Sequence, residues 1–355
     1  MKVLVTGGFG YLGSVLCDHL TSYGYNVTAY DSGFFADSLI TQPNMSFSAD
    51  MKLDVRDLRS EMLNGVDAVI HLAGISNDPM GRMTNEAVYD PSRAYTKHLA
   101  ECCKRLGVRF IFASSCSVYG IANEHIVDES STVRPQTGYS LNKWQIERDL
   151  AELADEGFSP IALRFATVFG PSPRIRFDIV INMLAGMAVA TGKIILNSDG
   201  KAWRPNLHIQ DLCESVHRCL QLKHSEPNLL VMNVGDERNN LSILEIAKIV
   251  KESVAGSEIY FLSADGSLDS KGLVRDRKVE GTDNRSYKVS FAKIREVLPE
   301  FQCKWSVRDG VNDLVKWLRD IPCDERTFHS RRYYRLQHLE DLISNGKLSE
   351  DLRWI

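Results

Sequence analysis

Lys2-Val-Leu-Val-Thr-Gly7-Gly8-Phe9-Gly10-Tyr11-Leu12-Gly13 opens the chain, and Ser14-Val-Leu-Cys-Asp-His-Leu20 follows with helical periodicity. The apolar, β-rich run Val3-Leu4-Val5 feeds directly into glycines at 7, 10 and 13, so the segment reads as strand, tight turn and helix. A diphosphate in such a turn is held by backbone N–H groups at a helix N-terminus, where the dipole favours an anion, and a Cβ would block its approach. About twenty residues on, the scale of this fingerprint, a second strand-like run, Tyr25-Asn-Val-Thr-Ala-Tyr30, ends in Asp31. An acid there suits the hydroxyls of an adenosine ribose. The order predicts a dinucleotide site built on Gly7, Gly10, Tyr11, Leu12, Gly13 and Asp31.

Outward from this stretch, strand and helix patterns alternate. Ser46 to Val55 reads as a third strand ending in Asp54, an acid placed to reach the adenine edge with Val55 beside it. Asp67-Ala-Val-Ile-His-Leu-Ala-Gly74 is a continuous apolar run, as a parallel strand buried on both faces requires. Its end, Leu72-Ala73-Gly74, leaves room for a ligand, and His71 within it reads as a core residue. A helix from about Asp90 to Leu106, a strand Val108 to Ser115, a long helix from Gln136 and a strand Ser159 to Gly170 complete the alternation. This predicts an α/β fold of Rossmann type, a doubly wound parallel sheet whose ligands lie beyond the carboxyl ends of the strands.

Past Pro171 the elements become shorter and mixed, including Ile194 to Gly200 and a helix from Ser242 to Val254. The expected organisation is an NAD-binding domain over 1–170, a smaller mixed α/β substrate-binding lobe over 171–322 and a helical extension over 323–355. Apolar segments within about 205–240, such as Leu229 to Gly235, are expected to return to the main sheet.

A formal net charge of −4 argues against nucleic-acid or membrane partners, because such binding leans on clustered Lys and Arg. The one basic-aromatic cluster, Arg331-Arg-Tyr-Tyr-Arg335, reads as a solvated or subunit-contacting helix face. No run approaches the roughly 18 apolar residues of a membrane span, and a strand starting at residue 2 leaves no space for a leader, so a cytoplasmic protein is expected. Eight scattered cysteines read as reduced thiols, and nine histidines without ligand spacing predict no metal.

Tyr139 and Lys143 stand four apart on a predicted helix, one turn apart on one face. An ammonium and an oxidised nicotinamide nearby favour the phenolate, so the phenol becomes a usable base. Lowering it from about 10 to about 7 takes about 4 kcal/mol at about 1.36 per unit. Lys143 is also expected to hold the nicotinamide ribose, and Ser115, at a strand end, to orient the reacting alcohol.

Thr6 to Gly13, Ser114-Ser115-Cys116-Ser117-Val118-Tyr119-Gly120 and Tyr139-Ser-Leu-Asn-Lys143 together resemble the extended short-chain dehydrogenase/reductases that act on nucleotide sugars, the NAD-dependent epimerases and dehydratases. The likeness runs to about residue 320. In the 4,6-dehydratases an Asp-Glu pair follows the serine; Cys116 and Ser117 stand here, which argues against dehydration. Strand alternation points Cys116 away from the site as a packed thiol. The resemblance implies that Arg204 grips the substrate diphosphate, with Arg285 or its rival Arg277 as second clamp. Ser117, Thr167, Arg176 and Asn182 are candidates to line the sugar or base pocket. Two departures from the family pattern, Tyr95 in place of a glycine and Thr167 in place of an asparagine, are expected beside the nicotinamide and sugar. Asp31 repels a 2′-phosphate and Ser32-Gly-Phe-Phe-Ala36 carries no cation to receive one, so the cofactor is NAD. The expected activity is C4 epimerisation of a nucleotide-diphosphate sugar through a 4-ketone, by a homodimer. A one-way 4-dehydrogenase or 4-ketoreductase and a non-catalytic NAD-binding scaffold are the alternatives.

Overall fold

Seven parallel strands form the central sheet: β1 (Lys2–Thr6), β2 (Asn26–Asp31), β3 (Ser48–Met51), β4 (Ala68–His71), β5 (Arg109–Ser115), β6 (Ile161–Phe165) and β7 (Leu230–Val234). Their order is β7-β6-β5-β4-β1-β2-β3, so successive strands are added outward in opposite directions from the β1–β4 pair, where the glycine turn leaves β1. The computed structural model describes all residues except 43–47, 77–84, 123–125, 225, 263–267 and 270–284. β4 is buried along its whole length, as its apolar run requires. Helices α1 (Gly13–Ser22), α2 (Asn85–Leu106) and α3 (Gly138–Leu153) flank the sheet. Among the described residues no helix is long and apolar enough to cross a membrane, and no group of His, Cys, Asp or Glu is placed to hold a metal.

Two local differences from the sequence pattern shape the site. The run Ser159 to Gly170 forms two strands: the N–H of Ala166 makes the last bond to the central sheet, to Val234 O at 3.0 Å, and beyond it the chain leaves that sheet. Residues Thr167–Phe169 then pair with 206–208 in a separate three-stranded sheet. Helix α2 begins at Asn85 and carries Pro91 inside it, well before the expected start near Asp90.

A buried polar network fixes the end of β5. Arg164 on β6 donates to Glu147 on α3 through Nη2 at 2.6 Å and Nε at 3.0 Å, and Ser114 Oγ donates to the same carboxylate. Arg164 Nη1 donates to Tyr119 OH at 2.9 Å, which donates to Asn233 Oδ1 on β7 at 2.8 Å. Charges this deeply placed persist only when paired and hydrogen-bonded. The network thereby locks α3 to the strand that ends in Ser115.

The extension from 323 onward is not an appendage. Leu339, Leu342, Leu348 and Leu352 pack with Val88 and Tyr89 of α2, against Phe34, Phe35 and Tyr139. His338 Nε2 bonds Phe34 O at 2.9 Å, and Trp354 Nε1 donates to Ser32 O at 2.6 Å.

Candidate active site

Two cavities meet at the carboxyl end of β1: a larger one of about 680 Å³ and a smaller one of about 120 Å³. Gly7 and Gly10 line both. Gly7 has φ +74°, and a Cβ there would stand 2.9 Å from Ala73 N. A Cβ on Gly13 would fall 2.2 Å from Gly7 O, so only glycine closes this turn against the start of α1. Asp31 lines the smaller cavity, its carboxylate accepting from Phe9 N at 2.9 Å and Gly33 N at 2.8 Å. Burial pushes its pKa up, and these N–H groups work against that shift. A bare glycine turn, a helix start and a fixed acid are the features a dinucleotide needs, and the residues present fit one.

Val55, Leu72 and Ala73 line the smaller cavity as well; Leu72 reaches both, while Tyr11, Leu12 and Gly13 line the larger. Asp54 is on the wall of the smaller cavity, but its carboxylate is occupied. It accepts from Arg56 Nε at 2.9 Å and from Arg56 N at 2.8 Å, and lies 3.5 Å from Arg353. Burial opposes its ionisation, yet these two arginines outweigh that and hold it below the usual carboxylate range. Tyr95 also lines the smaller cavity, donating to Ser92 Oγ at 3.2 Å, whereas the sequence pattern placed it beside the nicotinamide and sugar.

Ser115 and Tyr139 line the larger cavity. β5 ends at Ser115, whose Oγ accepts from Ser117 N at 3.1 Å and so keeps its O–H to donate. Residues Cys116–Tyr119 are a 3₁₀ turn, so strand alternation does not set the direction of Cys116. Its thiol is nonetheless buried and donates to Arg164 O at 3.0 Å, with burial pushing its pKa well up. Tyr139 stands in the first turn of α3, which Thr137 caps by accepting from Ser140 N. Lys143 is buried and is not on the cavity wall: its Nζ lies 5.7 Å from the Tyr139 ring centre and 4.5 Å from that of Phe112. Burial pulls this ammonium down to about 7, against the Glu147 carboxylate, which favours the charge. His71 is a core residue, bonded through Nδ1 to Thr6 Oγ1 at 2.7 Å and through Nε2 to Thr96 Oγ1 at 2.9 Å.

Of the expected substrate contacts, Ser117, Thr167, Arg176, Arg204 and Arg285 all line the larger cavity. Ser117 Oγ is buried there without a hydrogen-bond partner, and Arg204 Nη1 donates to Trp203 O at 2.9 Å. Arg176 is tied to Asp178 by two bonds of 2.8 and 3.0 Å and to Ser76 Oγ at 3.1 Å. Asn182 is elsewhere: fully buried, it donates to Tyr11 OH at 3.1 Å and accepts from Gly170 N at 3.1 Å. Its amide is spent on Tyr11 and Gly170, and it does not line the larger cavity. Arg277 lies outside the described residues.

Ser76, Asp178, Tyr287 and Arg335 line the larger cavity without having been marked in the sequence. Arg335 belongs to the cluster read as a solvated or subunit-contacting face. In the structure that cluster divides, with Tyr333 and Arg335 buried and Arg331 at the surface pairing with Asp341 at 2.8 Å.

A model of the NAD dependent epimerase/dehydratase family matches residues 3–235. A UDP-glucose 4-epimerase of Bacillus subtilis (strain 168) is 31% identical over 297 residues, 75% of this chain and 85% of that one. UDP-glucuronic acid decarboxylase 1 of Xenopus tropicalis is 25% identical over 74% of this chain and 62% of its own length. Among solved structures, MoeE5 in complex with UDP-glucuronic acid and NAD is 26% identical, with a TM-score of 0.73 over 90% of this chain and 99% of that one. The turn, the acid that ends β2 and the Ser115, Tyr139 and Lys143 set stand within the matched residues, and the chain belongs to the NAD-dependent epimerase/dehydratase family, with NAD as its cofactor.

Proposed function

We propose that this protein is a nucleotide-sugar 4-epimerase working through a 4-keto intermediate. The observation that carries the reading is one cavity lined by the glycine turn, by Ser115 and Tyr139, and by Arg204 and Arg285. Held by the glycine turn and Asp31, NAD would supply reversible hydride transfer at the sugar carbon. Tyr139 takes the proton of the 4-hydroxyl and Ser115 donates to the same oxygen, which orients the alcohol. Lys143 contributes positive charge near the phenol, favouring the phenolate. Asp31 receives the ribose hydroxyls of the cofactor. Arg204 and Arg285 hold the substrate diphosphate, a task suited to guanidinium forks, while Ser117 and Thr167 touch the sugar weakly enough for the ketone to turn. Cys116 and Ser117 supply neither the acid nor the base that water elimination requires.

The test is product analysis by NMR after incubating the enzyme with UDP-glucose and, separately, with UDP-glucuronic acid. The C4 epimer should form while bound cofactor ends in the oxidised state. Stoichiometric reduction of added NAD would point to the one-way dehydrogenase, and a decarboxylated or dehydrated sugar would sink the epimerase reading.

A further inference from the structure

Arg335 is the residue on which the two cavities converge from the far end of the chain. Gly7, Gly10, Leu72, Gly74 and Arg335 line both, so it stands beside the glycine turn where the two cavities join. Arg335 is buried, at 7% exposure. Nη1 donates to Ser76 Oγ, while Nε has no hydrogen-bond partner.

The charges around it do not balance. Its electrostatic neighbours include Arg174, Arg176 and Asp178, and Asp31 feels it in turn. Asp178 is chelated by Arg176, and Asp31 is held by two backbone N–H groups. Three guanidiniums therefore share two carboxylates that are already engaged. A buried cation with a spare donor is costly without a partner, and the missing one is an anion.

We propose that Arg335 holds the diphosphate of NAD against the glycine turn, which makes the segment 331–352 part of the cofactor site. Within that segment Leu352 packs with Leu339, Leu342 and Leu348 as one cluster, and Leu352 O accepts from Arg56 Nη2, so the arginine is delivered by a packed unit. A guanidinium fork would present its donors to a diphosphate in a planar arrangement that an ammonium does not reproduce. The substrate's own diphosphate is assigned to Arg204 and Arg285, so the two anions are separable by experiment.

Calorimetric titration of cofactor-free, full-length wild type, R335M and R335K with NAD, ADP-ribose, adenosine and UDP tests this. R335M should weaken NAD and ADP-ribose by about 10- to 100-fold, the scale of a charge-assisted bond, and leave adenosine and UDP essentially unchanged. R335K should fall between wild type and R335M for the two diphosphate ligands only. Unchanged NAD affinity would overturn the proposal. So would equal losses for NAD and adenosine, which would make Arg335 a prop for the wall, or a loss confined to UDP, which would assign it to the substrate. Should R335M fail to fold, the R335K comparison decides alone: a loss for ADP-ribose without one for adenosine supports the proposal, and equal losses overturn it.

Discussion

Lys143 Nζ donates to the carbonyl oxygen of Ala113 at 2.7 Å, which fixes the ammonium behind the strand that ends in Ser115. Burial nevertheless pulls it down to about 7, whereas in the unfolded chain it titrates near its ordinary value of about 10.4. Between these values the unfolded chain binds the extra proton, so the cost of burying the cation is fully present below about pH 7 and is relieved as pH rises. Cofactor-free protein should therefore gain stability from about pH 7 to 8.5, before raised thiol pKa values begin to oppose the trend. Urea unfolding of wild type and Lys143→Met across this range should show a slope in the first that is absent from the second.

His71 acts in the acid range. Burial lowers it to about 3, with Lys143 nearby adding to the shift, so it stays neutral in the fold while the unfolded chain takes a proton below about 6.5. Stability should fall as pH drops from about 6.5 toward 3, by up to about 1.4 kcal/mol per pH unit for this one group. His71→Asn, which keeps a polar atom toward Thr6 but cannot ionise, should lessen the acid slope by about one proton in denaturant titrations.

Glu147 and Arg164 should be expensive to separate. Their side chains are 5% and 6% exposed and joined at 2.6 Å. Glu147→Gln leaves the guanidinium buried without a counter-charge and should cost about 3–5 kcal/mol. The double replacement Glu147→Leu with Arg164→Met should cost less than the single one. Equilibrium unfolding of the three proteins checks the order.

Tyr139→Phe removes the proposed base and should lower turnover by about 10²- to 10⁴-fold, while NAD and UDP affinities stay close to wild type. Ser115→Ala should lower it less, because the phenol remains. Single-turnover measurement of cofactor reduction separates these effects from product release; full turnover by Tyr139→Phe would refute the mechanism.

Much of the sheet and the Ser115, Tyr139 and Lys143 set were legible because their signals are local. Glycines at 7, 10 and 13 follow a β-rich run, and a tyrosine and lysine four apart share a helix face whatever surrounds them. What failed to show in the sequence depends on contacts between distant residues. Beyond Ala166 the chain pairs Thr167–Phe169 with the distant residues 206–208, and the serine cap that ends β5 overrides the alternation that would aim Cys116. Asn182 looked polar enough for a pocket, yet Tyr11 and Gly170 consume its amide. Arg335 sits in a run that reads as surface, and only the packing of Leu339 and Leu342 on α2 turns it inward.

The pairing of Arg56 with the Leu352 carbonyl spans 296 positions. Synthesis lays down the glycine turn, Asp31 and Asp54 long before the segment with Arg335 and Leu352 that closes the same pocket. Local contacts form early, and a loop this long is joined late. Nascent chains should therefore keep this pocket open until that segment is made, so a dinucleotide gripped by Arg335 would be captured after the sheet has formed rather than serve as its nucleus.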